Sequence, residues 1–282
     1  MTTGLLLALF PTELAEFILS FCHPYDVAAF SQTCRRAYNV VYGSNDQYLW
    51  RMLFLSFPFD DPRKSLEFQN VSPFSAWRSL LQTRMWAEKV IRAGVCVSLD
   101  RVYALRTLLS TVQGALPATE GSQGETSHNL VWVERVLRES KLLETEPISP
   151  EINLRARLHS YLAFSLENCG EGHSCARLRQ RRLKSRSFLY DLRNYRADNG
   201  WGPYKPIGDV NWVHAEAIIN VVLMNVMEFW IDTKPPLGLE ATRAYSAPGC
   251  NNRKPADWAA VEGVWRRLVC FMDYRLVQTT FD

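Results

Sequence analysis

LFPTELAEFILSFCHPYDVAAFSQTCRRAY, residues 9–38, sets large apolar side chains on short helical patterns near the start of a 282-residue chain. After Pro11, Thr12 can cap a helix from Glu13 in which Leu14, Phe17, Ile18 and Phe21 recur at helical spacing. At 100° per residue Leu19 stands about 140° from Leu14, with Ala15 and Cys22 between them, so the apolar arc covers more than half of the helix. One face against a core cannot satisfy such an arc. Asp26, after the turn-forming His23-Pro24-Tyr25, can cap a second helix carrying Val27, Phe30 and Cys34 at i, i+3 and i+7, with Ala37 and Val41 beyond. GSND at 43–46 breaks it, and Leu49-Trp50 opens a short third helical run that FPFDDPRK (57–64) ends.

Three helices in roughly fifty residues bury a modest fraction of their surface. Full burial of a large apolar side chain stabilises by about 1.5–3 kcal/mol, so several left outside require a covering surface. Here that surface is expected to be a second protein.

Composition places the whole chain among folded proteins: 47% of residues are apolar, 22% are charged and nine are tryptophan. A net charge of +3 is too weak a field to imply nucleic acid or anionic membrane by itself. The seven cysteines are scattered without a CxxC pair, as expected of reduced thiols in the cytoplasm or nucleus. GLLLALF (4–10) lacks the basic flank and small-residue cleavage site of a signal peptide. HAEAIINVVLMNVMEFWI (214–231) carries Glu216, Asn220, Asn225 and Glu228, which makes it a buried helix rather than a membrane span.

Beyond residue 57 the pattern stays helical. A helix is expected from Ser72-Pro73 to Gly94, others over 130–143 and 149–170, a basic one over 177–195, and the apolar one over 212–231. PATEGSQGETSH (117–128) reads as a mobile loop, and the proline-containing 233–255 as a linker. VEGVWRRLVCFMDY (261–274) is aromatic and β-branched and reads as strand, although a lone strand cannot bury itself.

The opening pattern resembles an F-box, on Phe10-Pro11, Glu13-Leu14, Ile18-Leu19, Asp26-Val27, Phe30-Ser31, Cys34-Arg35 and Leu49-Trp50. Phe10 stands where that family usually has leucine, and the stretch 38–47 is somewhat long. Beyond it, YDLRNYRADNGWGPYKP (190–206), VNWVHAEAIINVV (210–222) and DWAAVEGVWRRLVCFMDYR (257–275) are similar to phrases of a group of fungal F-box proteins. Those proteins continue into a β-rich region near whose start this chain ends, so a shortened form is expected.

The resemblance implies a substrate-receptor subunit of an SCF-type ubiquitin ligase. Phe10, Pro11, Leu14, Ile18, Leu19, Val27, Phe30, Leu49 and Trp50 would dock on a Skp-family linker. Cullin and RING subunits would be joined through that linker, and a protein target would be held by the C-terminal part. The implied role is an adaptor without catalytic residues or cofactor, in cytoplasm or nucleus. Other classes stay open: a helical scaffold with an F-box acting outside ubiquitination, or a basic RNA-associated helical protein.

Remaining features are weighed against plainer readings. Cys169, His173 and Cys175 lack the fourth ligand and paired spacing that zinc requires. His214-x-Glu216 lacks a P-C-x-x-C partner, and residues two apart on a helix do not share a face. No GxSxG, P-loop or GxGxxG occurs. Arg177, Arg179, Arg181 and Arg182, with Lys184 and Arg186, read first as a solvated face and second as an import signal or docking patch. Trp201 and Tyr204 lie in a glycine-proline loop that could anchor a peptide or be pinned to its own core. The expected architecture is mainly α: an F-box at 5–57, a helical region at 65–232 and a β-prone tail at 256–282.

Overall fold

A computed structural model describes residues 10–44, 46–64, 77–94, 98–116, 127–140, 142, 145, 147–167, 175–206 and 208–228. The protein is mainly α. Contacts divide it into two compact units, one reaching Glu151 and the other beginning at Ile152, a division inside the span read as one helical region. Among the described residues there is no strand, only an isolated antiparallel bridge between Tyr204 and Val210. The β-prone tail at 256–282, the linker at 233–255, the helix start at Ser72, and Cys169 and His173 lie outside the described residues.

In the first unit, α1 (Thr12–Leu19) starts one residue before expectation, because Pro11 and not Thr12 is its N-cap. The helix expected to run on from Asp26 is two helices, α2 (Pro24–Ser31) and α3 (Arg35–Tyr42). Proline's fixed φ suits the first helical position, so α2 begins at Pro24, with the His23 imidazole accepting from the Tyr25 amide. It stops where the Gln32 and Thr33 amides turn back to the Ala29 and Phe30 carbonyls (3.1 and 3.0 Å). Cys34 is extended there, and its sulfur accepts from the Ala37 amide to start α3. α4 (Tyr48–Ser56) completes the group. Val27, Ala37, Val41, Leu49, Leu53 and Phe54 are buried between the four helices.

Three longer helices follow: α5 (Trp77–Ala93), α6 (Ser98–Gln113) and α7 (His128–Arg138). α5 ends as expected at Gly94, whose φ of +67° suits glycine. Edge-to-face contacts of Phe54 with Trp77 (5.4 Å) and Phe59 with Trp132 (5.2 Å) join α4 and its trailing turn to α5 and α7. The indole of buried Trp132 donates to Glu88 (3.0 Å).

The turn after α4 carries a highly connected polar residue. Asp60 is buried, and its carboxylate accepts from the Leu116 amide (2.8 Å), the Ser127 hydroxyl (2.6 Å) and the His128 amide (2.8 Å). Ser127 and His128, read from sequence as the end of a mobile loop, are thereby fixed, and Ser127 caps α7. Arg101 on α6 pairs with fully buried Glu151 (3.0 Å).

The second unit packs α8 (Ile152–Glu167) and α9 (Cys175–Tyr190) against α10 (Trp212–Glu228). Leu189 and Val221 form its centre, covered by Tyr195 and Ile218. No described helix is long and apolar enough to cross a membrane.

Candidate functional site

α1 separates its wide apolar arc into two sides. Glu16, Leu19 and Ser20 turn inward, while Leu14, Phe17, Ile18 and Phe21 stay outside at 50%, 47%, 52% and 76% exposure. Their i, i+3, i+4, i+7 spacing lays them in one row, and the Phe17 and Phe21 rings meet edge to face at 5.0 Å. Phe10 and Pro11 extend the row at its N-terminal end, where the Arg36 guanidinium donates to the Phe10 carbonyl (3.0 Å). The result is a contiguous apolar ledge.

The nine residues named from sequence fall into two groups. Phe10, Pro11, Leu14 and Ile18 are exposed on the ledge, whereas Leu19, Val27, Leu49 and Trp50 are buried beneath it. Phe30 lies between these extremes. Trp50 is fixed by its indole donating to the Val41 carbonyl (3.0 Å) and by stacking on Tyr42. Phe17 and Phe21 are not in that set although the helical period contains them, because neither belongs to the residue pairs that carry the F-box resemblance.

Glu16 is the one acid turned into the underside of the ledge. Burial pushes its carboxyl above the ordinary range, the Asp46 and Glu13 charges add to this, and the Ser44 hydroxyl offsets part of it. Cys34, exposed at the start of α3, moves the other way: the Ala37 amide holds its thiol below the usual value.

The second unit holds a different polar cluster. Arg181 on α9 donates to Nε2 of buried His159 (2.7 Å), which leaves the ring proton on Nδ1, 3.1 Å from Glu216. Burial raises the Glu216 carboxyl, but His159 and the charges of Arg181 and Arg155 outweigh it, so the acid sits below its ordinary range. His214 lies instead against the Phe188 and Tyr195 rings, and burial lowers its imidazole. The two therefore point to different neighbours. Arg181 belongs to this internal cluster, Arg182 is half-buried, and the side chains of Arg177 and Arg179 lie outside the described set. Trp201 and Tyr204 are both exposed, Trp201 with a left-handed φ of +57°.

Residues 7–56 match the family model described as F-box-like, so the chain carries an F-box-like domain spanning α1 to α4. No curated protein and no solved structure matches the chain.

Proposed function

We propose that the protein is the substrate-receptor subunit of an SCF-type ubiquitin ligase, docking through α1 and its neighbours on a Skp-family linker. The observation that carries this reading is the exposed row Phe10, Pro11, Leu14, Phe17, Ile18 and Phe21 within the F-box-like domain. Helices presenting i, i+3, i+4, i+7 anchors to a groove are a recurring mode of protein recognition. Through the linker the chain would join cullin and RING subunits, in cytoplasm or nucleus, while the part beyond residue 56 holds the target. Ubiquitin transfer would then be promoted by the local concentration of target lysines, with no nucleophile from this chain.

The test is reconstitution. Purified chain mixed with linker, cullin and RING subunits is expected to elute as one assembly in gel filtration. Elution of the chain apart from the linker would contradict the proposal.

A further inference from the structure

Away from the ledge, the faces of α5 and α6 that meet are unusually polar. Ser79, Thr83 and Arg84 on α5 oppose Thr107, Ser110 and Thr111 on α6, and the short serine and threonine side chains leave a cleft of about 280 Å³. Asp60 and Asn129 close one end. At the other the cleft continues into a shallow trough lined by Trp86, Tyr103 and Arg106, and the two share Thr83, Thr107 and Ser110.

Arg84 lines this cleft and, among the described residues, makes one side-chain hydrogen bond. Nη1 donates to the Asn129 side-chain oxygen (3.0 Å), and the guanidinium lies over the Phe59 and Phe54 rings at 4.5 and 5.0 Å. A guanidinium has five N–H donors, and ring faces attract the cation without accepting a conventional hydrogen bond. Asp60, the nearby acid, forms no ion pair with it among the described residues, because three other donors engage that carboxylate. Burial draws the Arg84 pKa down to about 10, with Asp60 opposing the fall, so the side chain is charged at neutral pH. A half-buried charge at the cleft, held by one side-chain hydrogen bond and two ring faces among the described residues, favours an incoming anion.

The cleft wall specifies more than charge. The hydroxyls of Thr107, Ser110 and Thr111 donate to the Tyr103 and Thr107 carbonyls of their own helix, so what these oxygens can offer a ligand is acceptor capacity. A ligand that fits brings one negative group for the floor and N–H donors for the wall. Asp60 in the lining disfavours a second negative charge.

We propose that the α5–α6 cleft binds a peptide carrying an acidic side chain. Its carboxylate sits on Arg84, its neighbouring backbone N–H groups meet the Thr107 and Ser110 oxygens, and an adjoining side chain rests on Trp86 and Tyr103. In the receptor reading this peptide is a target's docking segment. That identity rests on the reading; the binding itself does not.

The test is a library of capped hexapeptides, acetylated and amidated, screened against the full chain. Aspartate or glutamate should be enriched at one position. Replacing that residue in the selected peptide by glutamine, or by phosphoserine, should weaken binding at least tenfold. Arg84→Lys should weaken it to a similar extent. Ser110→Trp, at the exposed mouth, should block it, and keeps the test open if Arg84→Lys fails to fold. No acidic enrichment, preference for phosphoserine, a free-acid peptide without acidic side chains binding as well, or indifference to Ser110→Trp would each overturn the proposal. With Leu14→Asp and Ile18→Asp together, peptide selection should be unchanged, so failure of linker docking and failure of the cleft are read separately.

Discussion

Glu16 shows how a single residue under the ledge governs its pH response. Its folded-state pKa lies above the ordinary value, so the native state binds more protons than the unfolded chain in the window from about 4.5 upward. Stability therefore falls as pH rises through that window. Glu16→Gln is expected to raise Tm at pH 7 by roughly 1–3 °C and to flatten the fall. Thermal scans from pH 4 to 8 check this, and an unchanged slope would contradict it. At Cys34 the lowered thiol pKa and exposure predict faster alkylation by iodoacetamide than at half-buried Cys22, read by peptide mass mapping. Leu14, Ile18 and Phe21 were legible from period alone as part of an over-wide apolar arc. The inward turn of Glu16 was not, because an acid on an amphipathic helix ordinarily marks the solvent face.

Among the elements, the turn between α4 and α5 carries more than its sequence announced. FPFDDPRK reads as a helix breaker, which it is, but Asp60 within it binds the segment that follows α6 and the start of α7. Such a residue has no period, and its partners lie 56 to 68 positions away, so no local pattern could reveal it. Asp60→Ala is expected to cost about 3–5 kcal/mol in urea unfolding, since three donors lose a charged acceptor together. Asp60→Asn should recover part of that. The division of α2 from α3 was missed for a related reason. Apolar spacing continues across Thr33-Cys34, while the break is made by hydroxyl and thiol bonds to the backbone that compete with the helix.

At the scale of the whole molecule, the helical character was readable throughout the described residues, whereas the partition at Glu151 was not. Ser149, Pro150 and Glu151 look like the opening of one helix, yet Glu151 is drawn to Arg101 as the last residue of the first unit. A fragment ending at Glu151 contains the buried set around Leu53, Phe54, Trp132 and Glu151, and is expected to melt cooperatively by circular dichroism. The F-box-like domain sits in that same unit, with its apolar row outward and its stabilising residues beneath. That separation means that substitutions on the exposed row should leave the fold intact. The most direct test is titration calorimetry of a Skp-family linker against the full chain and against the Leu14→Asp, Ile18→Asp double variant. The account predicts saturable binding to the native chain and at least a hundredfold loss in the variant, with Tm preserved. Equal affinity for both, or no binding to the native chain, would contradict it.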